Sequence, residues 1–316
     1  MKQTIAVLAA LQTLSLSALA QSVNRSLDAS PSGHVAIEFI AGEVTVRGWD
    51  RATIEVSGDF GGDGAEALEV TQQGEETTIR IREDADGGAA LASEEVDLYV
   101  SMPRGSSLSV DGTNADLLIA GVEGEMSLET VSGDIEAEVF GAALEAHSVG
   151  GDVNVASRGA PVAANLTTVA GEIEAGGPFS SIIASTVSGD IELDVLDAAS
   201  MSLNSTNGEI EVHATFDGAA ELNAETTNGD VELRVGEEDD LNLDIGTFSG
   251  RIRTCFDRYP EEAGLDAQTE PDGNRGGDGR RGRRGQRGGE LVIEADADSP
   301  RVRVRTLNGD IEICSS

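Results

Sequence analysis

Apolar and polar positions alternate along most of this chain, and the alternation resets about every twenty residues at a glycine. The clearest copy is Thr130-Val131-Ser132-Gly133-Asp134-Ile135-Glu136, and it recurs with drift around Gly151, Gly171, Gly189, Gly208, Gly229, Gly250 and Gly309. From Gly133 to Gly250 the successive glycines are 18, 20, 18, 19, 21 and 21 residues apart. One turn signal at such a period marks a stacked repeat. Counted from the glycine, apolar residues fall at −7, −5, −2, +2 and +4, as Leu144, Ala146, Val149, Val153 and Val155 do around Gly151. The same offsets hold around Gly42 and, with Ala115 in the glycine slot, for Leu108, Val110, Leu117 and Ile119.

Each coil should therefore contain two short strands, with −7 and −5 on one face of the first and +2 and +4 on one face of the second. The three-residue step from −5 to −2 breaks the period of two, which predicts a bend or bulge there. It also assigns Val131, with Ile135, to the core. The Ser-Gly, Asn-Gly and Gly-Gly pairs suggest that the corner glycine takes φ > 0. The expected fold class is all-β, a single-stranded, β-helix-like β-solenoid. With about nine to ten short coils rising about 4.8 Å each, the rod would be about 40 Å long.

Two gaps interrupt the repeat. Between Gly42 and Ala115 lie four strand-like runs, 53–56, 68–71, 77–82 and 95–100, separated by turn-rich breaks. They predict antiparallel hairpins forming an N-terminal cap over the open sheet edge. Residues 21–34 have no clear periodicity and read as a leader. Between Gly250 and Gly309 there is room for one coil and an insertion whose middle, 270–289, is rich in Gly and Arg. Such a composition favours disorder. The expected organisation is a signal peptide at 1–20, a strand pair and β cap at 21–107, and solenoid repeats at 108–316 with a disordered Arg/Gly-rich insertion at about 257–289.

Charge and termini narrow the function classes. The formal charge is −37, from 58 acids against 21 bases. That balance disfavours nucleic acid and anionic membrane as partners of the bulk surface. Lys2, the apolar run Ile5 to Leu19 and Ala18-Leu19-Ala20 before Gln21 have the form of a secretory signal peptide. The mature chain is expected to be exported to the periplasm or the cell surface, with no transmembrane segment.

Candidate chemistry is sparse. Cys255 and Cys314 each follow a corner glycine by five residues, so stacked coils would bring them within disulfide reach. Paired free thiols and a metal site are the rivals. Position +1 carries Asp134, Asp152, Glu172, Asp190, Glu209, Asp230 and Asp310, and position +3 carries Glu136, Glu174, Glu192, Glu211, Glu232 and Glu312. These columns read either as a solvated acidic face or as Ca²⁺ sites at Asp134, Asp152, Asp190 and Asp230. The solvated face is favoured, since the Gly-Gly-x-Gly-x-Asp calcium repeat is absent. Arg251 and Arg253 replace the acids in one coil and suit ion pairs with Asp230, Glu232 or Glu312. A Thr/Ser column at −3 is better explained by turn hydrogen bonding than by ice binding. Arg275, Arg280, Arg281, Arg283, Arg284 and Arg287 concentrate positive charge in the insertion. They could grip phosphate-bearing envelope polymers or an acidic partner, or lie against the chain's own acids. His34, His147 and His213 are scattered, so no His-based triad or metal cluster is indicated. No catalytic residue and no cofactor is assigned.

Gly48-Trp49-Asp50 after Gly42–Val46, then Val100-Ser101-Met102-Pro103-Arg104-Gly105, then the tandem Gly-Asp coils, resemble the bacterial "putative adhesin" family. Its members are exported or envelope-associated β-strand-repeat proteins of unknown function. The resemblance covers about Val35 to Ile313. It implies a β-solenoid domain, a bacterial source and a cell-envelope role, and supplies no binding residues. The Arg/Gly insertion and the two cysteines depart from the family pattern. The expected function is a non-enzymatic binding, adhesion or scaffold module at the bacterial cell envelope. Its columns would face envelope polysaccharide or another envelope protein, with affinity built up by multivalency. Specificity is expected at Arg251, Arg253 and the insertion. The alternatives are a carbohydrate-active β-helix enzyme, a polysaccharide lyase or hydrolase with a cleft formed by 256–290, and a structural or envelope-stress protein.

Overall fold

A computed structural model describes residues 21–60, 68–81, 96–216, 218–236, 241–255 and 288–315. The segment expected to be a signal peptide, most of the Arg/Gly insertion and its six arginines lie outside the described residues. The described chain is all-β, with strands from Gln21–Asp28 to Ile311–Ser315 in one continuous sheet.

The repeat builds two parallel columns of strands. Met126–Thr130, Leu144–Ser148, Val162–Thr167, the second half of Ile173–Ser188, Ser200–Asn207 and Glu221–Asn228 form the first column. Ile135–Val139, Val153–Ser157, the first half of Ile173–Ser188, Ile191–Leu196, Ile210–Thr215 and Val231–Val235 form the second. In-register pairs such as Leu203↔Ala224 and Val212↔Leu233 put like positions above each other. Inward side chains from both columns meet in a single hydrophobic cluster.

The alternation differs from the expected one in an instructive way. The buried positions of a first strand are −7, −5 and −3, as with Met201, Leu203 and Ser205, and the strand runs unbroken to Asn207. Position −2 points out, and Val131 is 49% exposed. The expected bend between −5 and −2 and the core role of Val131 are therefore corrected. Threonine and serine at −3 keep the period of two because their hydroxyls have partners inside, as described below.

The corner glycines also have a different cause from the expected one. Gly133 has φ 149°, but Gly151, Gly171, Gly189, Gly208, Gly229, Gly250 and Gly309 are absent from the positive-φ positions. What excludes a side chain is proximity: a Cβ on Gly208 would lie 1.9 Å from the carbonyl oxygen of Gly189 in the coil before it. The glycines form a column in which each backbone leans on the next.

Both ends of the stack depart from chain order. His34–Trp49 pairs along its length with Ser107–Val122 on one side, and with Glu76–Ile81 and Asp97–Pro103 on the other. The boundary expected at 107/108 is thus no break in the sheet, and two of the four runs read as hairpins form an outermost coil. Leu68–Gln73 and Thr53–Phe60 cover that coil as antiparallel strands, the latter extended by Gln21–Asp28. Gln21–Asp28, read as a leader, is a strand whose Val23 packs partly buried against the core. It lies on the margin of the sheet, so little alternation is demanded of it. At the other end, Arg301–Asn308 lies between Glu221–Asn228 and Asn242–Ser249. Ile311–Ser315 lies likewise between Val231–Val235 and Ile252–Thr254. The last coil in sequence is therefore interposed, and the coil before it is outermost. Glu290–Ile293 runs antiparallel along Asn242–Ser249 and covers part of that edge, as a stable sheet edge requires.

Candidate binding face

The repeated motif is occupied with holding coils together. Each −3 hydroxyl donates to the carbonyl of the neighbouring coil's corner residue: Thr130 to Ala115 at 3.0 Å, Thr168 to Gly151 at 3.0 Å, Thr226 to Gly208 at 3.2 Å. The series continues through Thr306 to Gly229 and Thr247 to Gly309. All of these hydroxyl residues are buried, so the column binds between coils rather than within its own turn or to a flat exterior ligand.

The +1 aspartates do a similar job on the other side of the corner. Oδ1 of Asp134 accepts the N–H of Asp152, Asp152 accepts that of Glu172, Asp190 that of Glu209, and Asp230 that of Asp310. One oxygen of each proposed calcium ligand is thus committed to backbone. Among the described residues, the one group of three His, Cys, Asp or Glu with ligand atoms mutually within 4.8 Å is Cys255, Glu312 and Cys314, which contains none of these aspartates. Glutamate at +1 is a methylene too long for this bond, and Glu172 and Glu209 make none to the following coil. Burial, then the charges of Asp152 and Asp190, push the Glu172 carboxyl above its ordinary range. Burial, then Asp230 and Asp190, do the same to Glu209.

Cys255 and Cys314 are joined in a disulfide with Cα atoms 4.7 Å apart, tying the outermost coil to the interposed one. Interposition also changes the arginine partners. Arg251 Nη2 lies 2.8 Å from Asp310 Oδ2 and Arg253 Nη1 3.7 Å from Glu312, whereas Asp230 and Glu232 are one coil further away. Arg303 and Arg305 both reach Asp244 from the neighbouring strand. The Arg305 hydrogen bond is the main cause that holds the Asp244 carboxyl below its ordinary value. The residues that carry the family resemblance meet as well: Arg104 pairs with Asp50 at 2.8 Å and with Glu123 at 3.1 Å, and its N–H donates to the Trp49 carbonyl. Their role in the described structure is to join strands.

With these groups accounted for, a further surface remains. The −2 side chains form an exposed apolar ridge along the stack through Val131, Val149, Val169 and Val187. It passes through Thr206 and Thr227, then resumes at Leu307 and at Phe248, which is 69% exposed. Opposite the ridge, across the buried −3 column, stand Thr167, Ser185, Asn204, Glu225 and Arg305. Ridge and wall enclose a groove of about 560 Å³ that crosses the coils from Thr167 to Leu307. A second hollow of about 590 Å³, lined by Ser107, Ser127, Ala163, Asn165 and Ile183 among others, adjoins it on the outer face of the same column.

The face is set apart by charge. Residues 159–171, 175–189 and 198–208 contain no acid and no base, so the centre of the first column is neutral on a chain of net charge −37. The second column carries the acids at +1 and +3. The signal stands in the sequence as charge-free stretches alternating with acidic ones, but it marks a surface only once −2 is placed outside the core. His34 lines the second hollow, His147 lies in the first strand column, and His213 pairs with Glu211 on the second.

Residues 179–314 match the family model Toastrack DUF4097. This is the adhesin-like family of unknown function that the motifs resemble. Several solved structures are similar in outline. A "putative adhesin" from Bacteroides fragilis is 11% identical, with 93% of this chain and 97% of the other covered and a TM-score of 0.43. A "putative lipid binding protein" from Parabacteroides distasonis is 18% identical, with 69% and 91% covered and a TM-score of 0.47. A "putative adhesin" from the same species is 7% identical, with 94% and 98% covered and a TM-score of 0.40. No curated protein matches. The Toastrack segment contains the groove from Ser185 onward, the interposed coil and both cysteines.

Proposed function

We propose that this protein is an exported, non-enzymatic binding module of the bacterial cell envelope, and that it engages an extended ligand along the neutral face of the first strand column. The observation that carries this reading is the segregation of the surface. A groove whose lining carries one acid and one base, Glu225 and Arg305, runs across several coils beside an exposed apolar ridge, while the +1 and +3 acids are gathered on the other column. An apolar ridge open to water is retained at a cost in solubility and is a mark of an interaction surface. Repetition of the same side chains at each rung suits a ligand that is itself repetitive, with modest contacts summed along its length. The arginines expected to carry specificity, Arg251 and Arg253, are paired with the acids of the interposed coil, which moves the proposed site away from them.

The test is capture from bacterial envelope extract by the immobilised mature chain. Wild type should retain a saccharide or protein component that Val187→Asp, a change on the exposed ridge, releases. Retention by Val187→Asp together with loss in Asp134→Asn would move the site to the acidic face.

A further inference from the structure

The geometry points to the class of ligand: we infer that the groove takes a single uncharged glycan chain lying along the stack axis, with its end on Phe248. This deepens the proposed function and rests on it.

Three observations select that occupant. The first is charge. Of the lining residues only Glu225 and Arg305 are charged, with opposite signs, and Thr167, Ser185, Asn204, Val169, Val187 and Thr206 are neutral, while the surrounding chain is strongly acidic. An acidic polymer would approach against that field, and a cationic one would be drawn to the other column. The second is uncommitted hydrogen-bonding capacity. The −3 hydroxyls are all occupied between coils, but the side chains of Thr167, Ser185, Asn204, Thr206 and Thr227 have no hydrogen bond within the described protein. Hydroxyl and amide groups both donate and accept, which is what the hydroxyls of a sugar require. Backbone recognition of a peptide strand is closed off, because Val162–Thr167, Ser200–Asn207 and Glu221–Asn228 are each paired on both sides. A β-strand ligand needs a free edge.

The third is the apolar line. A sugar ring presents C–H faces between its hydroxyls, and these pack on Val169, Val187 and Leu307 along one wall. Phe248 stands one rung beyond Leu307 in the same column, since Thr247 pairs with Thr306 and Ser249 with Asn308. It is the most exposed large apolar side chain of the described residues, at 69%. An aromatic face set there is suited to stack on a sugar ring. The rung spacing of about 4.8 Å is close to the advance of one ring along an extended glycan, so successive sugars meet successive rungs.

The inference is tested by calorimetric titration of the mature chain with linear neutral oligosaccharides of increasing length from cellulose, laminarin and amylose. Oligogalacturonides of matching length serve as the acidic counterpart. At least one neutral series should bind, with affinity rising with length until the groove is filled. Val187→Asp and Phe248→Ala should each weaken it about tenfold, and Asp134→Asn should leave it unchanged. Because Val187→Asp alters an exposed position, its unfolding midpoint should match wild type; Asn204→Ala gives a second, charge-free variant of the groove. Equal or better binding of the acidic series, or neutral binding untouched by both Val187→Asp and Asn204→Ala, overturns the inference. If no neutral series binds while Val187→Asp still abolishes capture from extract, the ligand class falls and the binding face stands.

Discussion

The backbone N–H of Asp310 donates to Oδ1 of Asp230 at 2.7 Å, across 80 residues of chain. Arg251, much nearer to Asp230 in sequence, instead donates its N–H to Asp310 at 2.9 Å and closes its guanidinium on the same carboxylate. The ladders explain this order. Thr306, Asn308 and Asp310 can each accept from or donate to a coil on either side, and Asn308 extends the amide ladder through Asn228 to Asn207 with 2.9 Å bonds. Ser249 and Arg251 cannot pass the Asn and Asp ladders on, so their coil fits where, among the described residues, no further parallel rung follows. Asp310→Ala removes an acceptor and an ion-pair partner together. It should lower unfolding free energy by about 1–3 kcal/mol in urea titration, and Asp310→Asn by less.

Glutamate at +1 leaves a rung of the aspartate ladder unmade. Glu172→Asp and Glu209→Asp should each supply the missing acceptor, to the N–H of Asp190 and Asp230 respectively. A gain of about 0.5–1.5 kcal/mol per site is expected by the worth of a hydrogen bond, read as a raised denaturation midpoint. No gain would show that those N–H groups are already satisfied by solvent.

The −3 hydroxyls can be tested with an isosteric change. Thr226→Val keeps the volume but leaves the Gly208 carbonyl without its side-chain donor. It should cost about 1–3 kcal/mol, whereas Thr227→Val, one residue away on the exposed ridge, should be near neutral. Equal effects at the two positions would contradict the assigned inward and outward faces.

Stability should pass through a maximum at mildly acidic pH. Glu172 and Glu209 have folded-state values raised above 4.5, so their ionisation opposes folding at neutral pH and the penalty is relieved as pH falls into that raised range. Asp244 and Asp310 are lowered below 3.8; their stabilising pairs with Arg305 and Arg251 persist above that value and are lost as pH falls through the lowered values. The melting temperature should therefore rise from pH 7 toward about 4.5 and fall below about 3.8. In the double variant Glu172→Gln, Glu209→Gln the rise should shrink.

The disulfide closes a loop with a sequence separation of 59. By the chain-entropy estimate, replacing Cys255 and Cys314 by Ser should lower stability by about 4 kcal/mol at most. Calcium gives a separate check on the acidic columns. With one oxygen of each aspartate held by backbone, EDTA should leave the melting temperature unchanged, and a fall would assign Ca²⁺ to Asp134, Asp152, Asp190 and Asp230.

Much of the architecture was readable from periodicity, because a stacked coil repeats its local constraints at every rung. The all-β class, the corner at Gly133 and its successors, the inward +2 and +4 positions and the proximity of Cys255 to Cys314 all follow from spacing. The periodicity misled at −2 and −3, where hydrophobicity ranks Val131 above Thr130 for burial. Tertiary contact reverses that order, since a buried threonine hydroxyl meets the carbonyl of another coil and a linear pattern contains no other coil. For the same reason the glycine column could be seen but not explained: its cause is a neighbouring carbonyl, not a local φ. Chain order could not reveal that 301–315 slips between 221–235 and 242–254. That depends on which side chains can continue a ladder on both sides, and it becomes decidable only when three coils compete for two places. The neutral groove belongs to both levels. Its charge-free stretches stand in the sequence, but their alignment into one continuous face opposite the acids is made by the stacking.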